Sequence, residues 1–212
     1  MNWDVEISKK VSMVILVIVL MIIFWNYKKI QKVNIYFFSG FVLLAVIDLF
    51  CYFYFEATKK PTDTFYILGI FGAFFLYLTY YYRLFYIQFL KKTQLLFLMI
   101  FWINIGVMMY FNPDFFSHFS FSIFYVNILL LTFSVILFLY QTFNSDKIFR
   151  IKNYLPFWIS VACLIFYIGI IPIIFFRHTV SLNIYFFILF LLNLINNAII
   201  ILGLILNKPE KT

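Results

Sequence analysis

The chain has 212 residues, 66% of them hydrophobic and 11% charged, with 16 Lys and Arg against 8 Asp and Glu for a net charge of +8. A soluble domain carries about 25% charged residues, so this composition excludes a water-facing globule and makes lipid the solvent for most of the chain. The cations sit in short clusters between apolar runs, which fits topology signals and anionic headgroups and excludes a nucleic-acid-binding face.

The first ten residues, MNWDVEISKK, contain acidic side chains, and no A-x-A-like site follows the first apolar run. That run is therefore expected to be a retained helix and not a cleaved signal peptide. Seven runs approach the roughly 20 residues needed to cross a bilayer: 11–27, 35–55, 65–84, 94–111, 119–141, 155–176 and 182–206. They are continuously apolar, without the alternation of a transmembrane barrel. The predicted fold is all-α, a single polytopic seven-helix transmembrane domain over 1–212.

The connections are short, and Lys60-Pro61-Thr62-Asp63 and Asn112-Pro113-Asp114 are turn-type breakers. Lys28, Lys29, Lys32, Arg83, Lys91, Lys92, Lys147, Arg150, Lys152, Lys208 and Lys211 lie on one side of the bilayer, eleven cations in all. Lys9, Lys10, Lys59, Lys60 and Arg177 lie on the other, five in all. The positive-inside rule puts the N-terminus outside and the C-terminus in the cytoplasm, in a bacterial inner membrane.

Within the second span, Asp48 follows LLAVI a few residues past the middle. A carboxyl there costs roughly 2.5–3.5 kcal/mol even on lenient insertion scales. No Lys or Arg lies well inside any span, so protonation or hydrogen bonds from neutral donors must hold it. The bland reading is a carboxyl that ties helices together; the sharper one is a ligand, ion or proton site. Cys51 reads as a small buried residue, as does Cys163 in the sixth span.

The third span opens with Gly69-x-x-Gly72-Ala73, a small-residue face suited to close helix packing. It ends in YLTYYYRLFY, residues 77–86. Tyr80, Tyr81, Tyr82 and Tyr86 are expected to form an aromatic belt at the cytoplasmic interface beside Arg83. Tyr77 lies about a turn deeper, and its hydroxyl needs a partner.

Asn104 is central in the fourth span, and Asn127 is in the outer half of the fifth. His118 and His178 fall in outward connections without metal-ligand spacing, so no metal and no cofactor is expected. In the sixth span Ser160, Cys163 and Tyr167 share a face, and Gly169 and Pro172 should loosen the outer half. In the seventh, Asn193, Asn196 and Asn197 occupy one helical face. Interhelical hydrogen bonding is one reading of these amides, and a polar pocket shared with Asp48 is the other.

Catalytic signatures such as G-x-S-x-G, H-E-x-x-H or a phosphate-cradling glycine loop are absent, and the seventh span carries no lysine for a Schiff base. YLPFWISVACLIFY in the sixth span and FLLNLINNAIIILGL in the seventh, on seven spans with an outward N-terminus, resemble small seven-helix proteins and sensor modules found with bacterial histidine kinases. That resemblance implies a non-enzymatic sensor or signalling-associated module, binding a small or lipidic ligand or a membrane partner such as a kinase. SGFVLLAVIDLF followed by LGIFGAFFLYLTYYY is similar to the Gly-Asp helix and following helix of the lysoplasmalogenase family. This implies a membrane-embedded lipid hydrolase with two intramembrane carboxylates, of which Asp48 is the one present here. A third reading, architectural only, is a small-solute transporter with two three-helix repeats around a linking span.

Overall fold

A computed structural model describes residues 5–112, 114–116, 124–176 and 180–207. Among them are seven α-helices: α1 Val5–Trp25, α2 Asn34–Thr58, α3 Asp63–Leu84, α4 Gln88–Phe111, α5 Tyr125–Phe143, α6 Leu155–Phe175 and α7 Leu182–Leu206. Six of these, α2 to α7, are long and apolar enough to cross a membrane. The apolar part of α1, Lys10–Trp25, is shorter. In lipid every backbone polar group must be paired within the segment, and helices do this.

The breakers act where their chemistry requires. Lys59 ends α2 in the left-handed conformation at φ 57, its N–H donating to the Phe55 carbonyl. Pro61 follows two residues later, where the helix could not resume. Pro156 enters α6 within its first turn, where no N–H is needed. One boundary differs from expectation. KKT does not form a loop, because α4 begins at Gln88 and carries Lys91 and Lys92 in its first turns. The connection between α3 and α4 is only Phe85 to Ile87.

The chain divides into two compact units. One comprises residues 32–138, and the other residues 1–31 and 139–212. In the first, α2 and α3 pack as an antiparallel pair whose contact is set by small residues. A Cβ on Gly69 would collide with Ile47, and one on Gly72 would come within 2.9 Å of Leu43. One on Gly40 would stand 2.8 Å from the Tyr77 ring and 3.3 Å from the Ala73 carbonyl oxygen. The small-residue face expected on α3 is thus matched by a glycine on α2. In the second unit, α7 packs against α6 and α1. There Gly169 fits against Leu192, and Gly203 against Trp158 and Leu155.

Candidate functional site

Asp48 is half-buried on α2, and the phenol of Tyr66 on α3 is its polar neighbour. One turn further along α2, Cys51 is buried. The polar neighbour of Asp48 therefore comes from the adjoining helix of the same hairpin. Tyr66 was not among the residues singled out from sequence. Cys51 and Cys163 are both free and buried, as expected.

The tyrosine stretch divides in two. Tyr77, Tyr80 and Tyr81 are buried, the last two completely. The Tyr77 ring stacks on Phe37 at 5.0 Å. Tyr80 donates to the Asn34 side-chain oxygen over 3.2 Å, and Tyr81 packs on Phe138 with centroids 5.8 Å apart. Only Tyr82 and Tyr86 keep belt character: Tyr86 is 54% exposed, and the Lys91 ammonium lies 5.1 Å from the Tyr82 ring. The belt expectation is corrected for Tyr80 and Tyr81. At 100° per residue, Tyr77, Tyr80 and Tyr81 share one helix face at i, i+3 and i+4 while Tyr82 falls off it, so composition alone could not say which rings face the protein.

Asn104 and Asn127 are brought together. The Asn104 amide donates to the Asn127 side-chain oxygen at 3.4 Å. Asn127 is fully buried, and its own amide nitrogen has no hydrogen-bond partner. Phe101 and Phe124 lie three residues before these asparagines, and both rings pack on Phe71, at 6.1 and 5.4 Å. A spare donor behind aromatic walls can offer a hydrogen bond to a carbonyl or hydroxyl. Leaving it unused in an apolar bundle costs about 1–3 kcal/mol.

The buried polar residues that the sequence did not single out include Asn34 and Gln94, which have no exposed surface. Gln94 donates to the Leu78 carbonyl at 2.9 Å, while its oxygen and the Asn34 amide nitrogen lack partners. Both lie near the cation clusters of the connections, where a polar residue is unremarkable in sequence.

In the other unit, the asparagine stripe of α7 is graded. Asn193 is exposed, and its amide donates back to the Leu189 carbonyl at 3.1 Å. Asn196 is half-buried and Asn197 buried. Back-bonding to the fourth preceding carbonyl lets Asn193 satisfy a donor without leaving the lipid-facing side. On α6, Ser160, Cys163 and Tyr167 are all buried, so their common face is an inward one.

Where α6 and α7 diverge lies a cavity of about 300 Å³, lined by Gly169, Pro172, Ile173, Phe176, Val180, Tyr185 and Ile188. Gly169 and Pro172 were legible as a weak point of the sixth span, but the α7 side of the cavity was not. Proline has no N–H to close on the Ile168 carbonyl. His118 and His178 lie outside the described residues. Among the described residues no cluster of three His, Cys, Asp or Glu could hold a metal ion.

No family model, curated protein or solved structure matches this chain, which leaves its own side chains to carry the functional reading.

Proposed function

We propose that the chain is a non-enzymatic sensor module of the bacterial inner membrane. It would bind a small lipidic ligand and pass the bound state to a membrane partner such as a signalling kinase. The observation that carries this reading is the cavity between α6 and α7. Small-ligand pockets are concave and mostly apolar, with few polar groups that set orientation. Here the walls are largely apolar, and Tyr185 is the one lining residue whose side chain carries a polar atom. A ligand with an alkyl chain and a single hydroxyl matches that chemistry.

The test is thermal unfolding in lipid nanodiscs with decanol and with methyl decanoate, which lacks the hydroxyl donor. Decanol at a hundredfold excess over its dissociation constant should stabilise the protein by about 2.7 kcal/mol. The ester should do markedly less. Ile188→Trp, which fills the cavity, should abolish the difference. Equal stabilisation by alcohol and ester, or a shift unaffected by Ile188→Trp, would remove the cavity as the site. Counterflow of a trapped solute in proteoliposomes would replace sensing by transport.

For topology we propose seven spans, with α1 as the first, the N-terminus outside and the C-terminus in the cytoplasm. The split of eleven cations against five supports this orientation. Reporter fusions after residues 30, 88, 148 and 210 should score cytoplasmic, and those at 60, 115 and 179 external. A C-terminal fusion scoring external would reverse it.

A further inference from the structure

We propose that the connection between α5 and α6 is a binding surface for the headgroups of anionic phospholipids. Its described backbone is a 3-10 segment, Asp146–Asn153, with the sequence DKIFRIKN. Both flanking helices are long and apolar enough to cross a membrane. A short segment joining two such helices lies at the boundary between hydrocarbon and water, whichever side it occupies.

The segment presents two kinds of surface there. Phe149 is 87% exposed and Ile148 40% exposed, an arrangement unfavourable in water. At a bilayer boundary the same side chains enter the acyl region, while Lys147, Arg150 and Lys152 stay at headgroup level. Apolar residues interleaved with Lys and Arg are the pattern of interfacial helices, whose binding combines apolar burial with attraction to anionic lipid. Three cations stand against one carboxylate, Asp146, so the segment is complementary to phosphate and not to a zwitterionic surface alone.

The segment is also tied at a fixed level. The Trp158 indole N–H donates to the Lys152 carbonyl at 3.0 Å. The Lys147 ammonium donates to the Tyr154 hydroxyl at 3.2 Å and lies 5.0 Å from the centre of its ring. Trp and Tyr anchor helix ends at membrane interfaces, and here they hold the backbone and one cation of the basic segment. The surface is therefore pre-set for lipid and does not need to order on binding.

The test compares phosphatidylglycerol with phosphatidylcholine as additives to the detergent-solubilised protein. Phosphatidylglycerol should raise the melting temperature more, and the difference should shrink several-fold between low and high salt. The triple variant Lys147→Gln, Arg150→Gln, Lys152→Gln should lose most of that difference. Lys59→Gln with Lys60→Gln, in another connection, should keep it. A triple variant with the full wild-type response would overturn the proposal, because the headgroups would then bind elsewhere. Phe149→Trp provides a second measurement with every cation in place. Its added emission should be quenched more by brominated phosphatidylglycerol than by brominated phosphatidylcholine at equal mole fraction, and equally at high salt. Equal quenching at low salt would also overturn it. Ile188→Trp should leave both lipid responses unchanged, which separates this surface from the cavity between α6 and α7.

Discussion

Gly40→Leu should prevent α2 and α3 from closing on each other. A side chain at this position meets the Tyr77 ring at 2.8 Å and the backbone oxygen of Ala73 at 3.3 Å. Neither can yield cheaply: the ring is stacked on Phe37, and the carbonyl belongs to a helix. Overpacking a filled site costs typically 1–3 kcal/mol, occasionally more. With a backbone atom in the way, the loss should reach about 3 kcal/mol. Gly106→Leu is the matched control, since a Cβ there meets nothing within 4 Å. It should be neutral or stabilising, because leucine is the better helix former. Thermal unfolding in detergent decides between these outcomes. Adding Tyr77→Ala to Gly40→Leu should recover part of the loss by opening space. Similar losses at positions 40 and 106, or no rescue, would mean that the hairpin is not closed through Gly40.

The second large effect is expected at the Asp48–Tyr66 pair. Tyr66→Phe removes the phenol that neighbours the Asp48 carboxyl. Leaving a buried polar group without its polar neighbour costs about 1–3 kcal/mol, so the loss should be about 2 kcal/mol. Asp48→Leu should cost less, since it no longer asks the bundle to hold a carboxyl. The double variant should be at least as stable as Tyr66→Phe alone, a non-additivity of about 1–2 kcal/mol characteristic of directly contacting groups. Asp48→Asn should keep the fold. Strict additivity across the four proteins would show that the two side chains do not interact and would free Asp48 for another partner.

The registry of the hairpin explains why Tyr66 escaped a reading of the sequence. A symmetric turn between Thr58 and Asp63 would place Asp48 opposite Ala73. The contacts instead pair Ile47 with Gly69, Leu43 with Gly72 and Phe50 with Phe65. Helix α3 is thus offset by about six residues, roughly 9 Å along the axis. The offset follows from glycines seeking the bulky residues that can nest against them, which is a property of two surfaces and not of either helix alone. It brings Tyr66 level with Asp48, and Tyr80 level with Asn34.

Length, hydropathy and breakers act within a single segment, so the sequence by itself determined seven apolar segments, six of which form membrane-length helices, the break at Lys60-Pro61-Thr62-Asp63, the start of the sixth span at residue 155, the small-residue face of α3 and the burial of both cysteines. It also identified Asn104 and Asn127 separately as polar groups needing partners. Only the tertiary structure decided that these two amides meet each other, that Tyr80 and Tyr81 turn inward while Tyr86 turns out, and that Asn193 bonds to its own helix. It alone placed Val180, Tyr185 and Ile188 across from Pro172 around a cavity. In a chain that is apolar on nearly every side, periodicity no longer separates the face a helix gives to lipid from the face it gives to its neighbour. That choice is made by the fit of side chains between helices.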